Sequence, residues 1–451
     1  MIVKVSLAVI TLLFVGCNQH RIDLPQDLNQ TAQAVTPKEY ADPFSNAKVQ
    51  NSWLKTFEDK ELESLVTEAL KNNPNLKVAS ASVDQAKAQT KLAASAMNPS
   101  VNYAGQVSQT TAGTHLNVGG VGASWTPDIW GRLSAQVQAA TASQRSVQAN
   151  YAGAKQLLVA DVTKAWFSLI EATQQEALSK AIVDAYTQTY ESIKVQFEVG
   201  KVLRKDMVQA QADLDASKDA YIQAQNAKKS SARALELLLG RYPSGLYKAD
   251  EDLATLPPFP HVGVPSSLLE RRPDLISKEE ELRAAFFAKK DAQLSRLPSF
   301  TLSLSSLTSS ATSFLTALGA GVAGAIYDGG AISAQVTLAN ATQKKALLSY
   351  QSAILDAFND VETTLGNEKY LTQREETLKD AVKNYKIALE DTQTQYEVGK
   401  VDITLLQIQQ AKYASAQRTH LHVTSLLLQN RVNIYLALGG GFDQHSAIGD
   451  K

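Results

Sequence analysis

Two long stretches of the chain place apolar or small residues at steps of three and four. In the first, Val147, Tyr151, Ala154, Leu158, Val162, Ala165 and Leu169 keep that rhythm, and Gln, Ala, Ser, Thr, Lys and Asp fill most positions between them. The spacing is that of one helix face. No Pro occurs between Pro127 and Pro243 or after Pro298, and within 132–198 and 331–397 the only glycines are Gly153 and Gly366. So narrow a stripe predicts helices packed along other helices rather than burial in a globular core. Gly200 and Gly399 interrupt the pattern, so each stretch is predicted to fold as a helical hairpin. A helix of about 65 residues would be roughly 100 Å long at 1.5 Å per residue. That length suits a structure crossing the periplasm better than a single domain.

A second pattern has period two. Phe300, Leu302 and Leu304 alternate with Thr301, Ser303 and Ser305, and Val101, Tyr103 and Val107 alternate with Asn102, Ala104 and Gln106. Leu116 and Val118 alternate with His115, Asn117 and Gly119, and Leu318, Ala320 and Val322 with small residues, strand character being read through Ile326. One apolar and one small polar face over about 9–11 residues is the pattern of a membrane barrel strand. Four strands cannot close a barrel, and each unpaired backbone group in lipid costs several kcal/mol. The chain is therefore expected to need partners to span a membrane.

Both patterns are written twice. Asn73-Pro74-Asn75-Leu76 returns as Arg272-Pro273-Asp274-Leu275, and Ser134-Ala135-Gln136-Val137 as Ser333-Ala334-Gln335-Val336. Gln196-Phe197-Glu198-Val199-Gly200-Lys201-Val202 returns as Gln395-Tyr396-Glu397-Val398-Gly399-Lys400-Val401, and Leu239-Gly240 as Leu438-Gly439. Every pair is 199 residues apart without a gap, which marks a tandem duplication. The unit is too long for a solenoid repeat. The expected organisation is a first repeat over 61–240, with strands at about 99–127 and a hairpin at about 131–240. A linker follows at 241–265. The second repeat covers 266–440, with strands at about 298–328 and a hairpin at about 330–439, before a tail at 441–451.

The N-terminus changes the compartment. Lys4 precedes an apolar run ending Leu13-Phe14-Val15-Gly16-Cys17. Such a run fits a secretory signal over 1–16 and is too short to span a bilayer. A small residue before the only cysteine resembles a bacterial lipobox, in which Cys17 would become the acylated first residue of a lipidated segment, 17–60. An ordinary signal peptide with a chance cysteine is the other reading. Asn18 after the cysteine favours sorting to the outer membrane. A single Cys excludes a disulfide framework and a Cys-based zinc site. Lys plus Arg number 44 against 45 Asp plus Glu, a formal net charge of −1, which leaves no basic field for nucleic acid. Mean hydropathy is −0.18, a value that four short strands exposing alternate residues to lipid barely shift.

Together the lipobox, the duplicated strand-pair and long-hairpin unit, Arg271-Arg272-Pro273-Asp274-Leu275 and the paired Val-Gly-Lys tips resemble the TolC-type outer-membrane factors. The resemblance is greatest to the lipoprotein branch serving resistance–nodulation–division efflux pumps. Trp125-Thr126-Pro127-Asp128-Ile129-Trp130-Gly131-Arg132 and Tyr327-Asp328-Gly329-Gly330 are similar to that branch's elements at the entry to the long helices. The resemblance implies a mainly α fold with a membrane β segment. Long helical hairpins of a homotrimer would form a periplasmic α-barrel, and four strands per chain would contribute to a twelve-stranded outer-membrane β-barrel. The N-terminal segment, about 18–60, the linker, about 240–265, and the C-terminus would form an equatorial belt. It also implies a periplasmic adaptor, an inner-membrane pump and outer-membrane lipid as partners, with no cofactor and no catalysis. The exit duct of a type I polypeptide secretion system is an alternative. A periplasmic adaptor or structural coiled-coil lipoprotein is another, although one adaptor hairpin would not be duplicated with strands at both roots.

By the same resemblance, the tips Val199, Gly200, Lys201, Val398, Gly399 and Lys400 would meet the adaptor. A plain hairpin turn is the simpler explanation of those glycines. Acidic and apolar rings near the tips would close the channel. Asp402 and Asp206 are the acidic candidates, and Gln407 or Ile408 stands where Asp is common in the family. Tyr396 belongs either to the constriction or to packing within the hairpin. Gly319-Ala320-Gly321-Val322-Ala323-Gly324 matches G-x-G-x-x-G but lacks the following helix and acidic residue that a dinucleotide site needs. His420 and His422, two apart, point about 200° apart on a helix and do not share one metal.

Overall fold

The computed structural model describes residues 36–37, 40, 51–109, 115–249, 252–309 and 315–442. Cys17, the signal segment and most of the tail lie outside the described residues. A 3-10 turn, Trp53–Phe57, precedes α1 (Lys60–Asn72) and α2 (Pro74–Ser95). Strands β1 (Ser100–Gln109) and β2 (His115–Trp125) follow, then α3 (Arg132–Glu198) and α4 (Arg204–Leu238). After a linker the plan repeats as α5 (Leu268–Arg271), α6 (Pro273–Leu294), β3 (Ser299–Ser309), β4 (Leu315–Ala323), α7 (Ala331–Glu397) and α8 (Ile403–Ala437). Both long helices have 67 residues, and both return helices 35.

The duplicated residues explain the matching joints. Pro74 and Pro273 start α2 and α6 at the position where proline's missing N–H is harmless. Asn73 caps α2 by accepting from the Leu76 N–H at 3.1 Å, and its amide donates to the Leu238 carbonyl at 2.9 Å. Arg272, its counterpart, cannot cap in that way, but its guanidinium reaches the equivalent Ala437 carbonyl at 3.3 Å and Asp274 and Asp360 at 2.8 and 2.9 Å. Asp128 fastens the start of α3 by accepting from the Leu133 and Ser134 N–H groups. Asp328 does the same for the Gly330 and Ile332 N–H groups before α7.

The four strands form one antiparallel sheet in the order β1-β2-β3-β4, so pairing of β2 with β3 joins the halves. Cross-strand partners share a face. Val101, Ala123, Leu304 and Leu318 lie in one row, as do Asn102, Gly122, Ser305 and Ala317 in the row beside it. The sheet therefore has one apolar and one small polar face. Tyr103 and Leu318 on the apolar face are 90% and 83% exposed. The expected phase of β2 is corrected. Val118 lies opposite Gln106 on the small polar face, and Val121, Ala123 and Trp125 carry the apolar one. Pairing on both sides sets the phase, and a one-residue difference exchanges the faces. β4 ends at Ala323, not Ile326, and Ile326 and Tyr327 stand exposed beyond it.

The middle of α3 departs from the narrow stripe. Leu158, Val159, Ala160, Val162, Trp166, Phe167, Leu169 and Ile170 are all buried, and they cover about 200° of the helix circumference at 3.6 residues per turn. The covering pieces are Trp53, Leu54 and Phe57, α1, the loop around Ala249 and the α8 residues Leu428, Val432 and Tyr435. Trp53 stacks on Tyr435 with centroids 5.5 Å apart, and the Trp166 indole N–H donates to Asp59 at 2.7 Å. A globular belt thus covers α3 about halfway along.

Candidate functional site

At the first tip α3 ends at Glu198, and Gly200 turns the chain with φ +75°. The Gly200 N–H donates to the Phe197 carbonyl at 2.9 Å, and that of Lys201 to Gln196 at 2.8 Å. At the second, Gly399 has φ +74°, and its N–H and that of Lys400 donate to Tyr396 and Gln395, both at 2.9 Å. These are left-handed helix ends that glycine adopts without a Cβ penalty. No atom lies within 4 Å of a Cβ placed on either glycine. Lys201 and Lys400 are exposed, and Val199 and Val398 are 64% and 65% exposed. Each tip therefore presents an apolar side chain and a cation to its surroundings, more than the turn itself requires.

The acidic candidates have local duties. Asp402 caps α8, accepting from the Leu405 N–H at 3.0 Å, and Asp206 accepts from the Leu203 N–H at 3.1 Å at the start of α4. Gln407 is buried, and its amide nitrogen has no hydrogen-bond partner among the described residues. Tyr396 packs beside a small core of Ile193, Ala210, Ile403 and Leu406 that joins the two hairpins. Its hydroxyl lies 3.0 Å from the Gln196 amide nitrogen. About two turns further up α3, Gln410 donates to the Thr189 hydroxyl at 3.0 Å. Higher still, Gln175 donates to the Arg418 carbonyl at 2.9 Å. At the tip end, then, the Tyr396–Gln196 and Gln410–Thr189 bonds between the hairpins are made by neutral side chains, whereas higher up the Arg418 guanidinium donates to the Ser179 hydroxyl at 3.4 Å.

Gln196, Thr189 and Gln410 are additions to the sequence-based candidates. One signal was available: Phe197 in the first copy becomes Tyr396 in the second, and that added hydroxyl makes the cross-hairpin bond. His420 meets Glu375 at 3.0 Å and His422 meets Glu171 at 2.8 Å, on opposite sides of α8. Among the described residues no group of His, Cys, Asp and Glu could hold a metal ion.

The sequence model of the family described as outer membrane efflux protein matches residues 65–241 and 264–440. The chain belongs to this family. Each boundary of the second match lies 199 residues after its counterpart, the register of the duplication. The chain is 27% identical over 440 residues to the probable outer membrane lipoprotein SilC of Salmonella typhimurium, covering 93% of both chains. It is 26% identical over 421 residues to the cation efflux system protein CusC of Escherichia coli K12, covering 89% of this chain and 90% of the other. Its fold superposes on the outer-membrane channel CmeC of Campylobacter jejuni with a TM-score of 0.84 at 23% identity, covering 90% and 91% of the chains. For the outer-membrane channel OprN the TM-score is 0.83 at 22% identity, covering 90% and 97%. This efflux protein is located in the outer membrane.

Proposed function

We propose that three copies of this efflux protein form a passive exit duct for small molecules delivered by an inner-membrane pump through a periplasmic adaptor. The open edges of the four-stranded sheet carry this reading. Among the described residues β1 and β4 each have one neighbouring strand, and lipid tolerates no unpaired edge. Pairing of β4 with the β1 of a second copy, three times over, closes a twelve-stranded barrel. The apolar face bearing Val101, Leu304 and Leu318 turns to lipid, and the face bearing Asn102 and Ser305 lines the passage. Acylation of Cys17 adds a lipid anchor, and the relative SilC is named a probable outer membrane lipoprotein.

The hairpins extend the passage into the periplasm, and the exposed Val-Gly-Lys tips meet the adaptor. The tip region is the gate. Asp402, Asp206 and Gln407 line or support the constriction, and the Tyr396–Gln196 and Gln410–Thr189 bonds tie the hairpins together in the closed state. Relatives are named for cation efflux, pyoverdine export and toluene efflux, which supports a small-molecule cargo chosen upstream of the duct. Charge reversal at Lys201 and Lys400 together tests the tips: adaptor crosslinking in cells should fall sharply, and full retention removes the assignment. Replacement of Cys17 by Ala should abolish lipid labelling, and unchanged labelling refutes the anchor.

A further inference from the structure

A crevice of about 400 Å³ lies between α3, α7 and α8 above the tips. Higher on α3, Trp166, Phe167 and Ile170 fill the space between helices with large side chains. Along the crevice the corresponding walls carry Ala181 and Ala185 on α3 and Ala414 on α8. These side chains are too short to meet across the gap, so a void remains where close packing would otherwise be expected. Tyr186, Tyr396 and Tyr413 contribute aromatic rings to the walls, and Leu178, Ile182 and Leu389 aliphatic surface. No Lys or Arg is among the lining residues, and Glu397 is the sole carboxylate.

One polar atom in this wall lacks a partner. The Thr189 hydroxyl donates its hydrogen to the Ala185 carbonyl at 3.1 Å. Toward Gln410 it accepts, from the amide nitrogen at 3.0 Å, so both the donor and an acceptor position of the hydroxyl are used. Gln410 Oε1 is left buried with no hydrogen-bond partner among the described residues. An unpaired buried acceptor is costly, and a donor that reaches it recovers the loss.

We propose that this crevice binds uncharged aromatic compounds bearing a hydroxyl or amine donor, phenols and anilines being the simplest. Its volume is within the range of small-molecule sites, as is its makeup of apolar walls with a few placed polar groups. The tyrosine rings offer edge and face contacts to an aromatic ring. Gln410 Oε1 selects a donor, and the lack of a lining cation disfavours anions. The crevice shares Thr189, Tyr396 and Gln410 with the gate proposed above, and its test reads binding rather than efflux, so the two readings fail separately.

The test uses the purified full-length assembly and 4-hydroxybenzophenone, a neutral two-ring phenol that crosslinks to nearby C–H bonds under ultraviolet light. Mass spectrometry of the digested protein should find saturable adducts concentrated in 178–192 and 406–417, competed by excess 4-phenylphenol. Gln410→Leu, which keeps the side-chain bulk but removes the acceptor, should raise the half-saturating concentration about tenfold. Ala185→Trp, which fills the crevice, should abolish the adducts. If that variant does not assemble, Gln410→Leu remains decisive. Adducts spread evenly along the helices, adducts confined to the strands, or unchanged labelling of Gln410→Leu would overturn the proposal.

Discussion

Removal of Arg431 should be among the most damaging single substitutions away from the tips. Arg431 and Glu368 form an ion pair whose side chains are only 4% and 7% exposed. Arg431 also donates to the Pro257 carbonyl and lies over the Phe259 ring at 5.3 Å, which ties the linker to the second hairpin. Glu368 accepts a further bond from Asn430 at 2.9 Å. The equivalent positions of the first copy, 199 residues earlier, are Leu169 and Ala232, both buried and apolar. The fold therefore already accommodates an uncharged version of this site. Arg431→Met leaves a buried carboxylate with one neutral donor, a loss of about 3–5 kcal/mol. Adding Glu368→Leu removes the stranded charge. What remains is chiefly the unpaired Pro257 carbonyl, about 1–3 kcal/mol. The double variant should thus be about 2 kcal/mol more stable than the single one, the difference between those two costs. Denaturant unfolding in detergent can follow this by tryptophan fluorescence, because Trp53 and Trp166 sit in the adjoining belt. A single variant within about 1 kcal/mol of the parent, or a double variant no better than the single, would refute the reasoning.

Glycine substitutions should rank by geometry. Gly240→Ala and Gly439→Ala combine positive φ with a Cβ 2.9 Å from the Asn72 carbonyl oxygen and 3.1 Å from Arg271 backbone, and assembly yield should collapse. Gly200→Ala and Gly399→Ala meet only the left-handed backbone cost of about 1–2 kcal/mol. Gly366→Ala, inside α7 with open space around it, should be neutral or stabilising by up to about 1 kcal/mol. Melting temperatures of the assemblies in that order check the series. Burial pushes the Glu236 carboxyl up, but hydrogen bonds from Gly245, Ser244, Leu246 and Tyr247 outweigh it and hold the group below its ordinary value. A carboxylate depressed in the folded state contributes stability above its unfolded pKa and loses it as pH falls through the folded one. Hydrogen exchange at 244–247 should therefore quicken on acidification relative to neighbouring loops, and Glu236→Gln should remove that dependence.

The duplication, both hairpins and all four strands were legible because they rest on local spacing and a register repeated without gaps. The phase of β2 was not. Gly119, Gly120 and Gly122 interrupt its alternation, so Leu116 and Val118 suggested a face that pairing with β1 and β3 overrules. The belt around α3 was expected from the family resemblance and not from the helix pattern. Trp166, Phe167 and Ile170 lie off the stripe, and the short turn Trp53–Phe57 helps to cover them. Asp402 and Asp206 carried a capping signal, an acidic residue at a helix start, alongside their reading as gate residues. The Glu368–Arg431 pair and the Gln196–Tyr396 bond join positions 63 and 200 residues apart. The first comes from the alignment of α7 with α8 inside one hairpin and the second from how the two hairpins lie against each other, which no local spacing encodes.

The central claim is that four strands per chain close a barrel only with other copies. Native mass spectrometry of the complex extracted from outer membranes counts those copies directly. A complex of three chains is the predicted result. A single chain, two chains, or a polydisperse mixture without a three-chain species would contradict it.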